Sequence, residues 1–250
     1  MILWAELAAL GAFVGLLSTF IGLGGGVIMV PALVGLGLNQ QESIATSLMT
    51  IFLIAVFNVR AFARRGLIPW KVVTYLVTAS GITAFVAARI SVYSQEWILK
   101  AIFAIALVSV FGLTLWLGKS KADGAAVLNR WAYFGLGIFT GALSGITGLG
   151  GGVAAGPLLI RLRMAEGAQI VPIINVMLLF TSALGVAGYV LNQPPQWIFA
   201  FVLFVSAQFT TPIGYRYQHS ISERLRFRIL LGVLLLVLGH VCWDLYVHGG

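Results

Sequence analysis

Two glycine-rich segments are the parts of this sequence best suited to bind a ligand. The first runs from Gly22 to Val27 as Gly-Leu-Gly-Gly-Gly-Val, and the second repeats these six residues from Gly148 to Val153. Glycine allows a sharp turn or a close backbone approach. The first N–H groups of a helix carry about half a positive charge. A helix that starts at each segment could therefore hold an anion without a formal cation nearby.

The residues around these segments complete a predicted small-anion site. Short helices are expected to start at Val27 and Val153, with Pro31 and Pro157 within or just past the first turn, where a missing N–H costs least. Hydroxyl donors lie just before each turn. The predicted substrate-binding set so far is Ser18, Thr19, Gly22, Gly24, Gly25, Gly26, Ser144, Thr147, Gly148, Gly150, Gly151 and Gly152. The alternative is that the glycines only let helices pack closely.

Composition indicates a bilayer as the solvent for these elements. Hydrophobic residues make up 60% of the 250 residues and charged residues 9%. This excludes intrinsic disorder and most soluble enzyme folds, since so few charges cannot cover a soluble surface. The net charge of +8 does not indicate nucleic acid, because the basic residues lie between apolar runs. A lone cysteine, Cys242, does not indicate the redox compartment of the protein.

Apolar runs predict ten helical segments, two of them too short to span about 30 Å of hydrocarbon. The short ones are 27–38 and 153–160, and each follows a glycine segment. The others are 2–20, 43–63, 70–91, 97–118, 131–148, 170–191, 197–215 and 228–247.

An internal repeat relates the two halves of the chain. At a shift of 126 residues, 11 of the 19 positions from 15 to 33 are identical, and Pro31 falls on Pro157. Such a match near half the chain length indicates duplication and fusion. We predict a first repeat at 1–125 and a second at 126–250, forming one transmembrane domain.

Basic residues predict how the repeats lie in the membrane. If each glycine segment is the tip of a hairpin that enters and leaves on one face, 13 Lys/Arg lie inside and 2 outside. If all eight long runs cross instead, the count is 7 against 8. The expected fold is therefore an all-α integral membrane protein with two inverted-topology repeats. Each repeat has a glycine-rich re-entrant or broken helix hairpin plus three transmembrane helices, although residues 2–20 are long enough to span unaided.

The twin Gly-Leu-Gly-Gly-Gly-Val…Pro segments, the two-half plan and the length resemble the TauE/SafE family of sulfite exporters. The resemblance covers essentially the whole chain. It implies a multi-pass carrier in the bacterial inner membrane for sulfite, organosulfonates or related small anions, driven by protons. It also adds Thr46 and Ser47 as substrate-binding candidates, because Ala45-Thr46-Ser47 resembles a polar patch of the family. The second half departs from that pattern and offers Asn175 instead.

Further polar residues in the apolar runs have open roles. Asn58, Gln208 and Thr211 could bind substrate or only neighbouring helices. Arg60 could attract an anion, or it could reach the membrane interface. His240 and Asp244, four residues apart, are candidates for proton coupling. Since no acid lies obviously at the centre, the proton could instead travel on the substrate.

The leading interpretation is a secondary transporter that alternates access around a midplane site. A passive anion channel and a non-transporting membrane assembly partner are the alternatives. An enzyme is not expected, nor a metal site or any other cofactor. The sequence leaves a homodimer open.

Overall fold

The computed structural model describes residues 2–21, 25–117, 130–162, 164, 167–218 and 223–248. Within these residues the chain forms ten α-helices, in the positions that the apolar runs predict. They are α1 (Ile2–Ile21), α2 (Gly26–Gly35), α3 (Gln40–Arg64), α4 (Trp70–Val92), α5 (Glu96–Leu117), α6 (Arg130–Thr147), α7 (Gly152–Arg161), α8 (Gly167–Tyr189), α9 (Trp197–Gln218) and α10 (Glu223–His248).

Helix boundaries follow local chemistry in the first half. Asn39 caps α3, since its side chain accepts a hydrogen bond from the Glu42 backbone N–H at 2.7 Å. Gly66, at a φ of +66°, ends the same helix. Pro69 then precedes α4, which begins at Trp70. The chain therefore reverses within a few residues, as an antiparallel crossing requires.

Helices α2 and α7 are short and internal. Each has 10 residues, or about 15 Å at 1.5 Å per residue, which is half of the hydrocarbon thickness. Helix α2 contributes Val27 and Val30 to one buried apolar cluster, and Met29 and Leu33 to another. Irregular backbone is tolerated at membrane depth where protein surrounds it, and these two helices satisfy that condition.

Four helices are long and apolar enough to cross a membrane by length and composition. They are α3, α4, and the parts of α5 and α8 at Glu96–Leu113 and Gln169–Tyr189. Helices α9 and α10 hold shorter apolar stretches among the residues searched, Trp197–Ile213 and Leu231–Trp243. Four of the six predicted crossings therefore meet these criteria. The two remaining crossings, at α9 and α10, stay predictions. The re-entrant hairpins and the inverted arrangement of the repeats also stay predictions.

The outer surface carries large apolar side chains that water would not favour. Phe209 is 77% exposed and Leu236 is 76% exposed, and Ile82, Ile105, Ile198 and Phe201 are also exposed. Together with the long apolar helices, this surface fits a protein surrounded by lipid.

Helix packing joins the two halves of the chain. Helix α4 packs against α6 and α8, helix α1 packs against α9, and the long helices α3 and α8 pack against each other. Elements of the first half therefore have their main partners in the second, so the halves fold as one unit.

Candidate functional site

The two glycine-rich segments lie in direct contact. A Cβ atom built on Gly26, the first residue of α2, would lie 2.8 Å from the Leu149 Cα and closer still to the Gly148 carbonyl oxygen. Both neighbours are backbone atoms, so no side chain fits at Gly26 unless the backbone moves. We call residues 25–26 and 148–152, with this contact, the glycine junction.

Backbone conformation explains two further glycines of the junction. Gly25 caps α2 at a φ of +77°, a left-handed conformation that L side chains rarely adopt. Gly150 has a φ of +69°, and a Cβ there would lie 2.7 Å from a methyl carbon of Leu178. The junction thus requires glycine for backbone conformation as well as for space.

Hydroxyl groups surround the junction. The Ser47 hydroxyl of α3 donates to the Gly148 carbonyl oxygen at 3.0 Å, and this bond is buried. The Thr147 hydroxyl accepts from the Leu149 backbone N–H at 3.3 Å and donates to the Leu143 carbonyl oxygen at 2.6 Å. The first half of the chain thus holds the turn of the second through Ser47 as well as through Gly26.

Ser144 is the unusual polar residue of this region. It lies one turn before Gly148, whose backbone N–H donates to the Ser144 carbonyl oxygen at 2.9 Å. The Ser144 side chain is fully buried, and its hydroxyl has no hydrogen-bond partner among the described residues. A buried hydroxyl without a partner costs about 1–3 kcal/mol. The Ser43 hydroxyl of α3 is likewise buried and has no partner among the described residues.

The electrostatics of the junction come from dipoles and hydroxyl groups. None of the described residues that form the junction or make the hydrogen bonds given for it is charged. Helix α2 has no side-chain cap at its N-terminus. An anion here would be held by backbone N–H groups and hydroxyls.

Two predicted polar residues bind each other. The Asn58 side-chain amide of α3 donates to the Asn175 side-chain oxygen of α8 at 2.9 Å, and the Asn175 amide donates to the Val171 carbonyl oxygen at 2.9 Å. The bond between the two side chains thus links α3 of the first half to α8 of the second half.

Other predicted residues have hydrogen-bond partners or surroundings outside the junction. Thr46 accepts from the Gln196 backbone N–H at 3.0 Å, and Thr211 donates to the Ala207 carbonyl oxygen of its own helix at 2.8 Å. Gln208 is half-buried on α9, and Arg60 is exposed near the end of α3.

The structure gives positions for the two prolines and for His240, one of the proton-coupling candidates. Pro31 and Pro157 lie in the second turn of α2 and α7, one step deeper than the sequence suggested. His240 lines a cavity of about 20 Å³ with Lys100 and Gln40, which has room for about one water molecule.

Five predicted site residues lie wholly or partly outside the described residues. They are Gly22 and Gly24, together with the side chains of Ser18, Thr19 and Asp244. Among the residues that the structure does describe, no group of three or more His, Cys, Asp or Glu side chains could hold a metal ion.

A second set of glycines was missed by the sequence analysis. On α6, a Cβ at Gly137 would lie 2.5 Å from the Leu76 carbonyl oxygen of α4, and Gly141 and Gly145 approach Ser80 and Ala84 of α4 in the same way. Successive contacts along α6 meet residues of increasing number along α4, so the two helices are parallel. Gly-x-x-x-Gly spacing typically marks close helix contacts in membranes and could have revealed this one.

The same contact recurs between α1 and α9. A Cβ at Gly11 would lie 2.6 Å from the Leu203 carbonyl oxygen, and one at Gly15 would lie 2.5 Å from the Ala207 carbonyl oxygen. Gly11 and Gly15 fall on Gly137 and Gly141 at the 126-residue shift. Each long helix that leads to a glycine-rich turn therefore packs through glycines against a helix of the other half.

Apolar helices, a lipid-compatible surface and a buried, uncharged glycine junction define a multi-pass helical membrane protein. The chain belongs to the sulfite exporter TauE/SafE family, whose sequence profile matches residues 7–241. This confirms the resemblance seen in the sequence.

Similar proteins from other organisms are named as probable membrane transporter proteins. A probable membrane transporter protein of Methanocaldococcus jannaschii is 24% identical, covering 93% of this chain and 92% of its own. The probable membrane transporter protein YunE of Bacillus subtilis is 23% identical, covering 92% of this chain and 94% of its own. YjnA of the same organism, also a probable membrane transporter protein, is 28% identical over 70% of this chain and 75% of its own. No solved structure matches the chain.

Proposed function

We propose that this protein is a secondary transporter of small anions, sulfite, an organosulfonate or a related anion, and that it binds them at the glycine junction. Membership of the sulfite exporter family supports the class of substrate. The observation that carries the proposal is the contact of Gly26 with the backbone of Gly148 and Leu149. It brings the start of α2 against the turn that leads from the end of α6 into α7, and the dipoles at the starts of α2 and α7 favour an anion.

Binding at the junction requires movement. In the described conformation the two turns touch, and residues 25, 26 and 148–152 are buried. An anion between them must separate the turns and replace the Gly26 contact with its own contacts to N–H groups. The unpaired Ser144 hydroxyl is then a further donor. The proposal thus treats this conformation as one in which the two turns close the site.

Inverted repeats would supply the movement. The pairing of α1 with α9 mirrors that of α6 with α4, and the glycines at both contacts correspond in the repeat. Lys100 near the start of α5 and His240 near the end of α10 line one cavity with Gln40 at the start of α3. These helix ends are the ones that the inverted topology assigns to the outer face. Both observations support rocking of one repeat against the other.

Proton linkage is the finer part of the proposal. No acid lies at the junction, so we expect the proton to cross on the substrate, as bisulfite or a protonated acid. His240 and Asp244 on α10 are the alternative carriers. A variant His240→Gln that keeps gradient-driven uptake would favour the first route.

Liposome uptake tests the function. The purified protein is reconstituted, and uptake of labelled sulfite and of a small sulfonate is measured with and without an imposed pH gradient. Saturable uptake that follows the gradient is expected. The Gly26→Ala variant should lower it, whereas Gly35→Ala, at the other end of α2 with no atom within 4 Å of the added methyl group, should not. Folded protein that transports neither anion would refute the substrate class, and conductance that does not saturate would indicate a channel.

A further inference from the structure

A second, basic cavity lies at the shared starting end of α4 and α6. It has a volume of about 670 Å³ and is lined by Lys71, Val72, Thr74, Tyr75, Arg130, Trp131 and Tyr133. Val72 and Tyr133 are buried, whereas the other lining residues are exposed, so the cavity opens to the surroundings. None of its lining residues belongs to the glycine junction.

The charges of this cavity favour an anion. Lys71 lies in the first turn of α4 and Arg130 is the first residue of α6, and none of the described lining residues is acidic. The two helices are parallel, so their positive dipole ends lie at the same level as the two cations. Pro69 precedes α4 without a side-chain cap.

The fold does not require these cations. The equivalent pair, α1 and α9, begins with Ile2–Ala8 and Trp197–Leu203, which contain one Glu and no Lys or Arg. There Trp4 packs edge-on against Phe199 at 5.9 Å. The same helix contact thus forms without basic residues. Lys71 and Arg130 are therefore not needed for the helix contact, and both belong to the basic residues that the charge distribution assigns to the inner face.

An apolar track runs along both helices from the cavity. On α6, Phe134 and Ile138 follow Trp131 at helical spacing and are exposed, and on α4, Ile82 is 59% exposed on the face that carries Tyr75 and Thr78. A charged end joined to an exposed apolar face matches a lipid, whereas a free anion would use only the charged end.

We propose that this cavity binds the phosphate headgroup of an anionic phospholipid of the cytoplasmic leaflet, with its acyl chains along α4 and α6. The charge distribution of the sequence places the starts of both helices on the cytoplasmic face. Basic cavities between membrane helices on that face bind anionic headgroups. Trp131 and Tyr75 lie in the first two turns of α6 and α4, and aromatic rings of these types favour the membrane interface.

Lipid retention tests the site without any measurement of flux, so its outcome is independent of the proposed transport. Purified protein is titrated with dioleoylphosphatidylglycerol or dioleoylphosphatidylcholine, and bound lipid is counted by native mass spectrometry. The double variant Lys71→Gln, Arg130→Gln should bind phosphatidylglycerol about thirtyfold more weakly, since each basic residue near an anionic headgroup contributes about fivefold. Phosphatidylcholine binding should not change.

A matched control separates a site from general attraction. The double variant Arg64→Gln, Arg65→Gln removes the same charge from the same predicted face, outside the cavity, and should lower phosphatidylglycerol affinity much less than the cavity variant does, because a bound headgroup does not contact these side chains. The pair Lys71→Arg, Arg130→Lys keeps the charge and should keep the lipid. Equal losses in the two glutamine pairs would overturn the proposal. So would displacement of the lipid by millimolar inorganic phosphate or sulfite, which would make this a site for free anions.

Discussion

Replacing Gly26 with alanine is the sharpest test of the glycine junction. The added methyl carbon would lie 2.8 Å from two backbone atoms of Leu149 and inside contact with the Gly148 oxygen, whereas ordinary contact begins at 3.4 Å. Neither neighbour can rotate away, because both belong to the main chain. The two turns must therefore move apart by several tenths of an ångström.

The expected destabilisation follows from two opposing effects. Overpacking of this kind costs about 1–3 kcal/mol, while alanine gains about 0.5–1 kcal/mol over glycine within a helix. The Gly26→Ala variant should lose about 0.5–2 kcal/mol in the free energy of unfolding. The Gly35→Ala variant has no overpacking cost, since the space around Gly35 is open. It should therefore be more stable than the wild type by about 0.4–1 kcal/mol.

Unfolding in detergent and sulfite flux in liposomes measure the two consequences. We expect opposite signs of stability change for the two alanine variants, and reduced flux only for Gly26→Ala. If Gly26→Ala is as stable as Gly35→Ala, the turns do not touch through their backbones. If it is destabilised but transports normally, the junction is a packing contact and not the anion site.

Four other substitutions have distinct expected outcomes. Ser144→Ala removes a buried hydroxyl without a described partner, so the melting temperature should stay the same or rise while sulfite uptake falls. Gly141→Ala places a methyl group against the α4 backbone and should cost about 1–3 kcal/mol in unfolding free energy. In a background whose native cysteine is replaced by serine, Leu191→Cys should react with an impermeant thiol reagent from outside intact cells, and Arg65→Cys only after lysis.

Controls for these substitutions come from the same helices. Gly135→Ala lies on α6 with no atom within 4 Å of the added methyl group, so a loss equal to that of Gly141→Ala would contradict the close contact with α4. A lower melting temperature for Ser144→Ala would show that its hydroxyl has a structural partner. Labelling from outside at position 65 but not at 191 would reverse the orientation and remove the cytoplasmic assignment of the basic cavity.

The ten helices could be predicted from the sequence because the bilayer simplifies the pattern. Hydrocarbon leaves a spanning chain no partner for its backbone except itself, so apolar runs become helices. The observed helices begin and end within about five residues of the predicted runs. The repeat also indicated that Gly26 and Gly148 are special, since the sequence Gly-Leu-Gly-Gly-Gly-Val occurs in both halves.

Contacts between distant residues were decided only by the tertiary structure. Asn58 and Asn175 were each a candidate for binding substrate, and nothing in their positions indicated that they would bind each other across 117 residues. Likewise, the sequence presents Lys71 and Arg130 as charges of two separate loops. The parallel packing of α4 and α6 brings both to one cavity.

Sequence alone thus determined the helices, the membrane environment and the family of this protein, because these depend on local composition and on a repeated motif. Only the tertiary structure decided that Gly26 meets the Gly148 turn, and that the Ser144 hydroxyl is buried without a described partner. Such contacts depend on how close two backbones come. Glycines on α1 and α6 allow such a close approach between helices of the two halves, and no single segment of the sequence contains both partners.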